Sequence, residues 1–269
     1  MLEKAAVKVS LQEPRAKFLE MVGFLKYFGT RSVHLVHVAS GGGTGLQKAE
    51  KRMDELAASV AELGYQTDTR VVRGHPATRI IEVSRETSAD YICIYWMPKN
   101  LLRQALFGSI DSDVMRMSDL PVLVHNRKLL GGASDELSSV LYPTNFKATD
   151  AAAMRYLTSK DFKAKKLYIL HAGDRAPDPY AEQERSEKVN RNMERLAEEC
   201  ADAYDEIETL GVIGRPRKEV LRYAKSYDVD LIVIGKSDNP DPLENLLGST
   251  AEAVAKRARR SVFIVPGAA

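Results

Sequence analysis

The feature that most limits how this chain can fold is that it repeats itself. Sliding the 269-residue sequence by 140 positions puts Gly74 on Gly214, Pro76 on Pro216, Asp90 on Asp230, Ile92 on Ile232, Ile94 on Ile234, Gly108 on Gly248, Ser109 on Ser249 and Val122 on Val262. No gap is needed from Gly74 to Val124. Upstream the offset becomes 134, with His37 on His171 and Ser10 on Thr144, so the second copy is expected to carry its six extra residues near 173–180, GDRAPDPY. A period this long is a duplicated domain, because solenoid repeats recur every ~20–50 residues. The linker is read at RKLLGGASDELS, where Gly-Gly, Ser and charged residues separate two apolar strands. The expected boundaries are therefore 1–127 for the first domain, 128–138 for the linker and 139–269 for the second domain, each long enough to bury a core.

Within each copy, short β-branched runs alternate with helical patterns. In the second, VLYP (140–143) is followed by DAAAMRYLTS, KLYILHA, an amphipathic stretch from Glu182 to about Ala201, YDEIETL, RKEVLRYAKSY, DLIVIG, AEAVAKRARR and SVFIV. Strands such as LIVIG are apolar throughout rather than alternating, which means burial on both faces, and the helices between them require parallel crossovers. The fold class is α/β: two tandem doubly wound domains, each a five-stranded, mostly parallel sheet with helices on both faces. In the first copy the opening strand, AAVKVSL, is weaker, and this copy is read as eroded at its start.

Charge narrows the function. Lys plus Arg number 39 against 37 Asp plus Glu, a formal net charge of +2, which leaves no surplus to neutralise a nucleic-acid backbone. No run approaches the ~18 apolar residues of a membrane span, and the charged start MLEKAAVKVSLQEPRAKF does not read as a signal peptide. A cytoplasmic protein is expected, contacting neither nucleic acid nor membrane. Cys93 and Cys200 lie in a strand-like and a helix-like run and are read as buried small side chains.

Ligands of open parallel sheets collect beyond the carboxyl ends of the strands, where the strand order reverses. In the second copy those ends are Thr144 with Asn145, Ala172, Gly211 and Gly235. From Gly235 the run GKSDNPDPLENLLGSTAEAVAKRA leaves a buried strand, crosses a Pro-containing loop and enters a helix through Gly248, Ser249 and Thr250. Glycine permits close backbone approach, and hydroxyls opening a helix surround its unpaired N–H groups, an arrangement suited to an anion. Taken alone, Gly-Ser reads more readily as a turn and an N-cap.

These residues together resemble a family. The spacing Gly235, two residues, position 238, nine residues, Gly248, Ser249 resembles the G-x2-G-x9-G-[ST] phosphate-binding signature of universal stress proteins. VDLIVIGKS and LGSTAEAVAKRARRSVFIVP are similar to that family's fourth strand, last helix and fifth strand, and the duplication extends the resemblance over nearly the whole chain. The resemblance implies a tandem stress-response protein, a binding and regulatory module rather than an enzyme; from the residues themselves, the scattered histidines and two cysteines suggest no metal site, and no catalytic set can be assembled from sequence neighbours. It implies ATP or another adenine nucleotide as ligand, held in the second copy by Asn145, Ala172, Gly235, Gly248, Ser249 and Thr250. The alternative is a nucleotide-free interaction module with both sites vestigial. As partners it implies the nucleotide, another protein, and pairing of the two halves as a pseudo-dimer through their last strands, 121–124 and 262–265, with a homodimer of tandem chains as a further step.

The departures matter too. Asp238 replaces the second signature glycine, and Asn145 stands where the family has an adenine-contacting Asp. A carboxylate about 4 Å from a phosphate charge costs ~1 kcal/mol in water-like surroundings and ~4 at an effective dielectric of about 20. In the first copy the signature positions read Tyr95, Pro98, Gly108 and Ser109, and Leu11 aligns with Asn145, so no nucleotide is expected there.

Other motifs are weaker. SGGGTG (40–45) precedes a helix but lacks the Lys-Ser or Lys-Thr of a P-loop, and a loop is the better reading. His34 and His37 are three apart on a predicted strand and point to opposite faces. The equivalent positions of His37 and His171 indicate a shared hydrogen-bonding or packing role. The basic run 256–260 ends a helix, where cations offset its dipole.

Overall fold

The computed structural model describes residues 1–40, 43–96, 110–126, 136–147, 149–159, 164–236 and 250–267. They divide into two compact units, Met1–His125 and Asn126–Ala269.

The first unit runs β1 (Lys4–Lys8), α1 (Arg15–Phe24) continued by a 3-10 turn (Leu25–Phe28), β2 (Ser32–Val38), α2 (Thr44–Ala61), β3 (Gln66–Val72), α3 (Pro76–Glu86), β4 (Tyr91–Tyr95), α4 (Ile110–Met117) and β5 (Val122–His125). Its strand order is β3-β2-β1-β4-β5, with every pair parallel. The second runs β6 (Leu137–Thr144), α5 (Thr149–Leu157), β7 (Ala164–Gly173), α6 (Pro179–Cys200), β8 (Glu206–Ile213), α7 (Pro216–Ser226), β9 (Leu231–Lys236), α8 (Thr250–Arg257) and β10 (Ser261–Pro266). Its order, β10-β9-β6-β7-β8, is the same topology, again with parallel pairs. Each unit is the doubly wound sheet that the alternating pattern predicts.

The apolar runs become central strands because both faces are covered. Every residue of β4 is buried, as are the first five of β10. In the first unit α1 packs on α2 and α3 on α4, the pairing expected when right-handed crossovers send the two helix pairs to opposite faces. Tyr91, Phe18 and Phe28 anchor one core, and Tyr142, Phe263 and Met193 the other.

The backbone repeats as the sequence does. Leu11 and Phe146 hold φ of 61° and 57°, Ser88 and Asp228 hold 52° and 51°, and Asp90 and Asp230 each accept an N–H near the start of the neighbouring first strand, from Lys4 at 2.8 Å and Ser138 at 2.6 Å.

Three features differ from the sequence reading. β6 begins at Leu137, inside the expected linker, because Leu137 is buried and Asp230 holds the Ser138 N–H; residues 127–135 lie outside the described residues. α6 begins three residues before Glu182, since Asp178 caps it by accepting from the N–H groups of Tyr180 and Ala181, with Pro179 at the first position. The extra residues of the second copy mainly lengthen this helix, 22 residues against 18 in α2. β1 is not eroded: Ala5, Ala6 and Val7 are buried, and β1 pairs with β2 on one side and β4 on the other.

Both cysteines are buried, and burial pushes the Cys93 thiol far up and the Cys200 thiol to about 12. Since the thiolate is the nucleophile, neither is expected to react with iodoacetamide or a chromogenic disulfide in the native protein at neutral pH, while both react after denaturation. Rapid native labelling counted by mass spectrometry would contradict this.

Candidate functional site

In the second unit the strand order reverses between β6, whose chain continues toward β7, and β9, whose chain continues toward β10. The carboxyl ends of these two strands therefore open a crevice. Thr144 and Asn145 end the first, and Gly235 lies near the end of the second.

The chain after β6 makes a tight turn held by the Asn145 side chain. Its Oδ1 accepts the Lys147 N–H at 3.1 Å and the Thr149 hydroxyl at 3.5 Å, an Asx-turn. With the oxygen so used, the exposed Nδ2 amide is the part of Asn145 left to meet a ligand, and it is a donor. Below it lies a buried network. Asp150, on the first turn of α5, accepts from the hydroxyls of Tyr142 and Thr144, each at 2.6 Å, and the Thr144 hydroxyl in turn accepts the Phe146 N–H at 3.0 Å. Burial, followed by the Asp150 carboxyl, drives the Tyr142 phenol far above its ordinary range.

His171, on β7, turns its Nδ1 to the Thr144 carbonyl at 3.1 Å, and its ring stacks on Phe146 at 4.5 Å with 22° between the planes. Burial lowers its pKa, which favours the neutral ring. With Nδ1 donating, Nε2 is an acceptor. Ala172 follows it, almost wholly buried.

Gly235 is explained differently from the sequence reading. A Cβ there would lie 2.9 Å from the Thr149 Cβ, closer than side chains tolerate. The glycine lets α5 of the same chain approach β9, an intrachain contact that no spacing pattern reveals. Thr149 thus links Asn145 to Gly235. Thr250 opens α8, which packs on β9 and β10. Gly248, Ser249 and Asp238 lie outside the described residues, as do Pro98, Gly108 and Ser109.

The first unit differs at the same places. Its register shows that the counterpart of Asn145 is Ser10 rather than Leu11: Ala6 pairs with Ile92 as Leu141 pairs with Ile232, an offset of 135 in this strand. The hydrogen bonds agree, since the Ser10 hydroxyl accepts the Gln12 N–H at 3.2 Å as Asn145 accepts that of Lys147. The single-residue displacement was invisible because β1 and β6 share almost no identities. Tyr95 fills the place of Gly235 with a buried ring whose centroid lies 6.2 Å from that of His125.

The histidine pair resolves as the repeat predicts. His37 Nδ1 meets the Val9 carbonyl at 2.8 Å, as His171 meets that of Thr144, while His34 faces Asp68 on β3 at 2.5 Å. Gly43, with φ 57°, precedes α2, and Gly41 and Gly42 of the same loop lie outside the described residues.

Comparison with known proteins adds the decisive observation. The universal stress protein family model matches twice, over residues 31–125 and 137–266. The chain belongs to the universal stress protein family. Universal stress protein MJ0577 of Methanocaldococcus jannaschii is 25% identical over 150 residues, 47% of this chain and 93% of its own. A universal stress protein of Archaeoglobus fulgidus has a structure similar to this one with a TM-score of 0.78 at 20% identity, covering 98% of this chain and 96% of its own. A putative universal stress protein from Pseudomonas aeruginosa gives 0.69 at 17%, covering 99% and 94%. These two structural likenesses speak to the tandem fold. The first family match begins at β2, past Lys8 and Ser10. Among the described residues, no helix of this universal stress protein is long and apolar enough to cross a membrane.

Proposed function

We propose that this tandem universal stress protein is a cytoplasmic binding and regulatory module whose second unit takes ATP or another adenine nucleotide in the crevice between β6 and β9. The observation that carries the reading is the contrast between units. The second offers the Asn145 amide beside a strand end kept small by Gly235, and α8 opens with Thr250; the first has Ser10 and a buried Tyr95 at the matching places, while the strand-end histidines, His171 and His37, are common to both. Ala172 would border the base, and Gly248, Ser249 and Thr250 would meet the phosphates, as the signature implies. The role is read as binding rather than turnover, because the signature is that of a phosphate-binding loop and the Asp150 carboxyl is already engaged by two hydroxyls. A protein partner, and association of tandem chains, belong to the same proposal; light scattering across a concentration series reads the latter.

Asp238 should keep affinity low. Titration calorimetry with ATP is expected to give weak binding by the wild type, binding about tenfold tighter or more in Asp238→Gly, a change of ~1.4 kcal/mol, and none in Gly248→Val. Equal binding by all three would show that the signature loop is not the phosphate site.

A second reading has an observation of its own. Because Thr149 already accounts for Gly235, that glycine needs no ligand to explain it. No binding even in Asp238→Gly would favour a nucleotide-free interaction module.

A further inference from the structure

The crevice of the first unit, between β1 and β4, holds an ion pair that the second unit lacks. Lys8 is the last residue of β1, and Asp111 lies in the first turn of α4. The Lys8 Nζ donates to the Asp111 Oδ1, and the two side chains are only 13% and 11% exposed. Lys8 pairs with Val36 on β2 as Pro143 pairs with Leu170 on β7, which makes Pro143 its counterpart. The 140-residue offset makes Ala251 the counterpart of Asp111. At the same two positions, then, the second unit has neither cation nor anion.

A largely buried ion pair is a weak source of net stability, because desolvating both charges offsets most of their attraction. Its placement is more informative. Asp111 brings a negative charge to the first turn of a helix, where unpaired N–H groups and the dipole favour one, and Lys8 faces it from the neighbouring strand end. A bound anion would be held by the same combination of cation and helix start.

We propose that the Asp111 carboxylate is a built-in anion, held by Lys8, that closes the first unit's crevice to ligands whatever the nucleotide concentration. The duplication then has one self-occupied unit and one open unit. That the open unit responds to nucleotide rests on the reading above; the closure of the first does not.

The test uses the full chain and inorganic phosphate as probe, at constant ionic strength. Hydrogen exchange is followed in peptides covering β1 and α4. In Asp111→Ala the Lys8 cation loses its partner, exchange in α4 should quicken, and phosphate should slow it again by about tenfold or more, since ligand bound only to the closed form protects it by mass action. The wild type and the double variant Lys8→Met with Asp111→Ala should show no phosphate effect in these peptides. Asp111→Asn, which keeps the size of the side chain, gives the same reading if the Ala variant fails to fold. Absence of phosphate protection in both single variants, or equal protection in the wild type or the double variant, would overturn the proposal.

Discussion

Asp150→Ala is expected to lower the unfolding free energy of the second unit by about 4 kcal/mol. The carboxyl accepts two hydroxyl donors in a buried setting, from Tyr142, 1% exposed, and Thr144, 6% exposed. Removing it leaves both without an acceptor, and each unsatisfied buried donor costs about 1–3 kcal/mol. A cavity adds to the loss, and a movement of α5 or an entering water subtracts from it. The mechanism has a signature beyond magnitude. Tyr142→Phe alone should destabilise by about 1 kcal/mol, but in the Asp150→Ala background it should be neutral or stabilising, because it removes the orphaned hydroxyl. Urea unfolding followed by hydrogen exchange in peptides of β6 and α5 reads this unit separately. A Tyr142→Phe penalty of the same size in both backgrounds would show that the two side chains are not coupled. The same network holds the turn that carries Asn145, so on the proposed function Asp150→Ala should also weaken nucleotide binding.

The second large effect is acid destabilisation of the first unit through His125. This side chain ends β5 at 6% exposure, between the rings of Phe24, 5.2 Å away, and Tyr95, 6.2 Å away. Burial, aided by the positive charge of Lys17, lowers its pKa from 6.5 to about 4. The folded pKa therefore lies below the unfolded one. Above pH ~6.5 both states hold the neutral ring and the group has no effect on stability. Between pH ~6.5 and ~4 the unfolded chain takes up a proton that the folded unit refuses, so stability falls as pH falls. The loss reaches about 3 kcal/mol, since a tenfold difference in proton affinity between the two states is worth ~1.4 kcal/mol. Below pH ~4 this contribution stops growing. His125→Phe keeps an aromatic ring against Phe24 and Tyr95 but cannot titrate. Thermal melts of wild type and variant between pH 7 and 4 should show the wild type losing stability faster over this window, whereas parallel curves would assign the acid sensitivity elsewhere. His171, whose pKa burial also lowers, adds a loss of the same sign in the second unit.

The sequence by itself determined the fold class. A gap-free register of recurring identities from Gly74 to Val124 requires two copies of one domain, and strands apolar on both faces, such as LIVIG and YICIY, can only be buried between helices in a parallel sheet. The family was legible in the spacing from Gly235 to Ser249, because a loop and helix start follow one another in the chain. What the tertiary structure decided was everything that depends on neighbours distant in sequence. The role of Gly235 follows from Thr149, which another strand's loop brings to it. Ser10 rather than Leu11 opposes Asn145 because strand pairing, not chain alignment, sets the register of β1. The Lys8–Asp111 pair joins residues 103 apart, and Asp150 became the centre of a buried network only once the first turn of α5 came against Tyr142 and Thr144 of β6. Local periodicity encodes which face of an element is buried; it does not encode which side chain from elsewhere in the chain arrives to cover it.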